Sequence, residues 1–253
     1  MKKTIAMIMS VGLMAGVARA DILVSDDFDY ADGPLVGNTP AVGDIWTTIS
    51  GISGEIPVFS GAITLSDASS EDIESGLGSS FTTGALYFGF DISVADPGSY
   101  TGTDFEYFAH FSGSTFTLRT DIGAFSATGW RPGAATTAGT AEALWGSDLS
   151  YATVYRLVGE YNFSTGLSSL WVDPASEGDI KITSTNAVTG ITLDAFNFRQ
   201  SAATPDQSIT IDNLRVATTF AEAATVVPEP ATMSMLLLGL VGARGLVHRR
   251  KRA

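Results

Sequence analysis

The chain has no cysteine in its 253 residues and only two histidines. Without cysteine there are no disulfides, thiol nucleophiles or thiolate metal sites, so a packed core must hold the fold. With so little imidazole, most histidine-based acid–base and metal chemistry is also removed. His248 lies in the basic C-terminal tail, which leaves His110 alone to serve a Ser-His-Asp arrangement. His110 sits among Tyr107, Phe108 and Phe111 and reads as a strand position rather than a base. Neither a G-x-S-x-G elbow nor a phosphate-binding loop occurs.

Positive charge is scarce away from the ends. All 27 acidic residues fall between Asp21 and Glu229, with only six basic ones: Arg119, Arg131, Arg156, Lys181, Arg199 and Arg215. A segment this acidic repels phosphate backbones and anionic lipid, so nucleic acid is not an expected partner.

Long hydrophobic runs are also missing, and the two short ones lie at the termini. Met1-Lys2-Lys3, an apolar stretch from Ile5 to Val17 and the Ala18-Arg19-Ala20 site form a secretory signal peptide over 1–20. Cleavage after Ala20 makes Asp21 the mature N-terminus. At the other end, Pro228-Glu229-Pro230 can continue neither helix nor strand, because proline lacks an N–H and fixes φ. An apolar segment over 231–247 follows, then a basic cluster over 248–253 containing Arg249, Arg250, Lys251 and Arg252. As a helix, that apolar segment reaches only about 26 Å, a marginal transmembrane span. The basic cluster stops it on the cytoplasmic side.

The order of triplet, apolar segment and basic end resembles the PEP-CTERM sorting signal of Gram-negative bacteria. That resemblance implies recognition by an exosortase-type membrane protease-transpeptidase. It also implies an inner-membrane anchored precursor, processing near the triplet, and delivery to the cell surface, outer envelope or extracellular matrix.

Between the ends the chain reads as β throughout, over 21–220, with 221–230 as a linker. Short runs rich in β-branched and aromatic residues recur: Ile56–Phe59, Ala62–Leu65, Ala85–Ile92, Phe105–Phe111, Thr115–Thr120, Thr153–Tyr161, Ser168–Val172, Ile180–Thr183, Gly190–Phe198 and Ser208–Val216. Gly, Ser, Thr, Asn and Asp separate them, and helical periodicity is confined to one turn near Ala141–Trp145. Ten short strands in one domain predict an all-β fold, an antiparallel two-sheet β-sandwich or jelly roll. The pattern V-G-x-Y, a turn with Thr-Gly, L-W-V-Asp-Pro and then I-D-N-L-R-V resembles concanavalin A-like and laminin-G-like jelly rolls of exported proteins. That resemblance implies association with extracellular polysaccharide.

Three chemistries remain to be placed. A glycoside hydrolase needs two carboxylates about 5 to 10 Å apart. The nearest cluster, Glu71-Asp72-Ile73-Glu74, is flanked by Ser and Gly and reads as solvated loop, so no catalytic residue is assigned. For Ca²⁺, a hard cation seeking oxygen ligands, Asp26, Asp27, Asp29 and Asp32 form the candidate group, with no ligand assigned. Glycan contact is expected at Trp130 and Trp145, which flank Arg131–Gly139, the clearest long loop. The resulting expectation is a non-catalytic, glycan-associated surface protein. A glycan-active hydrolase and a purely structural or adhesive matrix protein are the alternatives.

Overall fold

The computed structural model describes residues 21–102, 106–113, 117–137, 140–200 and 207–225; of 117–122 it describes the backbone alone. The signal peptide and the sorting tail lie outside the described residues. Among those described, no helix is long and apolar enough to cross a membrane.

Among the described residues, sixteen strands form in chain order. The first eight are β1 (Ile22–Asp26), β2 (Gly33–Pro34), β3 (Thr47–Ser50), β4 (Pro57–Phe59), β5 (Ala62–Ser66), β6 (Asp72–Phe81), β7 (Ala85–Val94) and β8 (Glu106–Gly113). The rest are β9 (Thr117–Ser126), β10 (Gly129–Ala135), β11 (Ala143–Leu144), β12 (Tyr155–Asn162), β13 (Leu167–Val172), β14 (Lys181–Thr183), β15 (Leu193–Arg199) and β16 (Ser208–Ala217). One short helix, α1 (Phe220–Ala224), ends the described chain.

The strands make two antiparallel sheets, as the alternation predicted. A nine-stranded sheet runs β14-β13-β12-β7-β16-β5-β4-β2, with β1 also paired to β16. A seven-stranded sheet runs β11-β10-β9-β8-β15-β6-β3. Sequence neighbours such as β7 and β8 fall in different sheets, which is the crossing pattern of a sandwich rather than a meander.

Period-two alternation decides which residues meet between the sheets. From β7 these are Leu86, Phe88, Phe90, Ile92 and Val94; from β15, Phe196 and Phe198; from β8, Phe108 and Phe111; all are buried. Phe88 packs on Phe90, Phe111 and Phe196 with ring centroids 5.6, 5.6 and 5.2 Å away. Each ring contributes about 1.5–3 kcal/mol by leaving water, which is how a chain without disulfides holds together.

Three local expectations are corrected. Glu71–Glu74 is not a solvated loop: β6 begins at Asp72, and Glu71 is fully buried. Its carboxylate accepts the Thr48 hydroxyl at 2.6 Å and the backbone N–H groups of Gly54 and Ile56 at 3.0 and 2.8 Å. The Arg131–Gly139 loop is largely β10, despite Pro132 and Gly133, because β9 and β11 pair with it on either side. The helical turn near Ala141–Trp145 is β11. After β16, α1 packs onto the nine-stranded sheet against β7, β12 and β16.

Candidate polar face of the seven-stranded sheet

Alternation that sends Phe196 and Phe198 inward turns Asn197 and Arg199 to the other side of the sheet, where Asn197 is fully buried and Arg199 half-buried. Cross-strand register then builds two rows on the outer face. The first joins Thr47, Glu74, Asn197, His110 and Arg119 across β3, β6, β15, β8 and β9. Its neighbour places Asp72 opposite Arg199, and Tyr107 opposite Asp121. At about 4.8 Å per strand, the first row extends about 19 Å.

A bulge brings the β8 residues into line. Pairing with β9 shifts between Tyr107 and Ala109. Tyr107 and His110, three residues apart, therefore share a face that strict alternation would deny them. Their rings meet edge-on at 5.7 Å.

The rows are hydrogen-bonded into a network. Ser112 Oγ donates to Asn197 Oδ1 at 2.5 Å, and Asn197 Nδ2 donates to Glu74 Oε2 at 3.5 Å. Ser50 Oγ donates to Asp72 Oδ2 at 2.7 Å, and that oxygen lies 3.9 Å from Arg199 Nη1. Arg199 also donates to the Tyr107 hydroxyl, its guanidinium lying 4.4 Å from that ring's centroid. Two buried atoms here, Asp72 Oδ1 and Arg199 Nε, have no partner among the described residues. A buried polar atom left unpaired costs about 1–3 kcal/mol, so each calls for water or ligand. Such a surface offers donors and acceptors at fixed spacing, together with a half-buried phenol.

The opposite outer face, on the nine-stranded sheet, is covered by α1 over β7, β12 and β16. Tyr87, Val158, Trp171, Ala217, Phe220 and Ala223 form a second apolar cluster there, beneath α1. Beside it, buried Arg156 Nη2 donates to Ala223 O at 2.7 Å, and Nη1 donates to Asn213 O at 2.7 Å and to Asp91 at 3.2 Å. Burial lowers the Arg156 pKa from its usual value, and Asp91 opposes that shift. Gly89 is required where the helix approaches, since a Cβ would lie 2.2 Å from Ala223 O. The single charged residue in the run Tyr155-Arg-Leu-Val-Gly is the sequence signal for this clamp.

The expected site residues fall in different places. Trp130 is fully buried in the core, edge-on to Tyr155 at 6.5 Å, so the glycan contact expected of it is corrected to a packing role. Alternation places Trp130 inward and its neighbour Arg131 outward, where Arg131 Nε donates to Asp148 at 2.6 Å. Trp145 is half-buried against the core, its N–H bonded to Pro132 O at 2.9 Å.

The aspartates expected to offer Ca²⁺ ligands do not converge. Asp26 is buried and accepts the Trp46 indole N–H at 2.7 Å, the Tyr30 hydroxyl at 2.9 Å and the Phe28 N–H at 2.8 Å. Burial raises its pKa, with these donors pulling the other way. Asp32 accepts Ser60 N–H at 3.0 Å, and no group of three acidic or imidazole side chains gathers among the described residues. The Asp26 hub is thus a brace for the first strand. His110 is also buried, its Nδ1–H directed at Phe111 O at 3.2 Å.

The tail supplies the direct comparison. Residues 226–252 match the family described as the PEP-CTERM protein-sorting motif. The chain carries a PEP-CTERM sorting signal. That span contains Pro228, Glu229, Pro230 and the basic run Arg249, Arg250, Lys251 and Arg252, and it marks an exported, surface-sorted protein. No curated protein matches the chain. Similar solved structures include a Lotus tetragonolobus seed lectin, 8% identical, covering 74% of this chain and 97% of its own at TM-score 0.47. The Emp47p carbohydrate recognition domain is 12% identical, covering 76% and 96%, at TM-score 0.46. An alginate lyase of polysaccharide lyase family 7 is 12% identical, covering 61% and 77%, at TM-score 0.42.

Proposed function

We propose that this PEP-CTERM protein binds extracellular polysaccharide on the polar face of its seven-stranded sheet, without cleaving it. The observation that carries the reading is the pair of cross-strand rows containing Asp72, Glu74, Tyr107 and Arg199, braced from beneath by buried Asn197, with two buried polar atoms lacking partners among the described residues. Sugar hydroxyls pair with carboxylates, amides and guanidinium groups, and a phenol ring gives a sugar face something to pack on. The domain's acidity favours a neutral chain over a polyanion. Before processing, the exosortase-type enzyme is the transient partner and the inner membrane the anchor.

A second reading, hydrolysis, is favoured by one observation. Asp72 and Glu74 stand two residues apart on one strand face. Their Cα separation is about 7 Å, within the range that paired catalytic carboxylates need. Against it, both side chains are already engaged, Asp72 by Ser50 and Glu74 by Asn197.

One experiment separates the readings. The mature protein is applied to a glycan array and to polysaccharide purified from the culture that makes it, with reducing ends measured throughout. Retention without new reducing ends supports binding. Reducing ends that vanish in Asp72→Asn or Glu74→Gln support hydrolysis, and absence of both leaves a structural matrix role.

A further inference from the structure

The folded domain and the sorting signal are adjacent in the chain. Thr225 is the last described residue, and the matched motif begins at Val226. Three peptide steps separate Thr225 from Pro228, a reach of about 10 Å. The domain's radius of gyration is about 17 Å for its length, so the tether is shorter than the body it holds. An enzyme that grips Pro228-Glu229-Pro230 therefore meets the surface from which the chain leaves.

That surface is preformed. Phe220 packs edge-on against Trp171 and Tyr87 at 5.2 and 6.2 Å, and Arg156 holds the helix's last carbonyls. Facing α1, the loop after β13 is fixed by Asp179, which accepts the N–H groups of Ala175 and Ser176 at 2.7 and 2.9 Å. Between helix and loop lies a cavity of about 560 Å³, lined by Pro174, Ala175, Ser176, Phe220, Ala221 and Ala224 among others, with Thr225 at its rim. Ile180, at the end of the same loop, is 82% exposed.

We propose that this cavity is a docking site for the membrane protease-transpeptidase that processes the sorting signal. The enzyme reads the folded domain as well as the tail. Small and apolar lining residues suit an apolar side chain of the enzyme, and exposed Glu177 and Asp179 suit cationic groups around it. One wall of the site, from Thr219 to Thr225, directly precedes the motif, so motif and cavity engage one partner together, and the second contact is effectively intramolecular. This inference is independent of polysaccharide binding.

The test follows precursor processing in the producing cells, by the mass shift between precursor and processed chain. Filling the cavity with Ala221→Trp is expected to slow processing at least fivefold, while the precursor's domain keeps its resistance to limited proteolysis. A second variant leaves the domain untouched: twelve Gly/Ser residues inserted between Thr225 and Val226 separate motif from cavity. It too is expected to slow processing severalfold, and Ala221→Trp should add little on top of it. Processing of the insertion variant at the original rate or faster overturns the proposal, whatever the folding of Ala221→Trp.

Discussion

On the outer face of the nine-stranded sheet, Trp171 is fully buried, Phe220 lies over it, and Arg156 donates through both Nη atoms to the domain's own carbonyls and to Asp91, while its buried Nε has no partner among the described residues. On the outer face of the seven-stranded sheet, Arg199 and Asp72 each keep a buried atom with no partner among the described residues. Both faces arise from the same alternation on antiparallel strands. They differ in what the chain lays over them. The first is covered over β7, β12 and β16 by α1, whose last carbonyls Arg156 holds. The second has charged groups braced against one another but with capacity left over. Each face keeps a buried guanidinium Nε without a partner among the described residues, so the two faces differ in what covers them rather than in how fully their polar groups are paired.

Breaking the covered face should have the largest effect. Arg156→Ala leaves the Asp91 carboxylate without its ion pair and frees Ala223 O, and is expected to cost about 3 kcal/mol of stability. Urea unfolding of the mature protein would measure it, and polysaccharide retention by the folded fraction should not change. Gly89→Ala tests the same face from beneath: the added methyl must displace α1, for about 2 kcal/mol. A Tm equal to wild type would show that the helix is not seated as described.

A smaller effect is expected where the sheet edges are tied together. Glu142, from the β11 side, accepts the N–H groups of Thr136 and Thr137 and, after β14, those of Thr185 and Asn186 at 3.0 and 2.8 Å. Burial works to raise its pKa, but these donors outweigh it and hold the carboxyl below the usual 4.5. The stability it adds is therefore complete above pH 4.5 and is lost as pH falls through the lower folded value. Glu142→Gln should cost under about 1 kcal/mol at pH 7, and the gap to wild type should close as pH falls below 4.5. A gap that is constant with pH would show that charge on Glu142 does not matter.

Much of the scaffold was legible in residue order. The runs Thr153–Tyr161 and Ser168–Val172 are β12 and β13, paired as a hairpin that turns at Asn162–Gly166, and Ser208–Val216 is β16 within one residue. Those strands are β-branched and aromatic, and their turns carry Gly and Asn, so local preference and global fold agree. The failures share a cause. Asp72-Ile-Glu-Ser-Gly-Leu-Gly-Ser and Trp130-Arg-Pro-Gly look like loop because Gly, Ser and Pro disfavour strands. In each case a neighbouring strand supplies the pairing that local sequence lacks.

The polar face was hidden for a different reason. Its residues come from β6, β8 and β15, far apart in sequence, and a bulge in β8 breaks the spacing that would have linked Tyr107 to His110. Conversely, Trp130 attracted attention as an aromatic beside a supposed loop, when one-residue alternation places it inward. Arg156 was visible as the lone cation in an apolar strand, but its partners lie at 91, 213 and 223.

The most direct test of the central claim compares Arg199→Ala with Trp145→Ala in binding to the polysaccharide purified from the producing culture. The open polar face predicts that Arg199→Ala weakens binding at least tenfold, about 1.4 kcal/mol, while the protein stays folded. Trp145→Ala should stay within about twofold of wild type. Binding that survives loss of Arg199 and collapses with loss of Trp145 would contradict the account and return the site to the edge at β10 and β11.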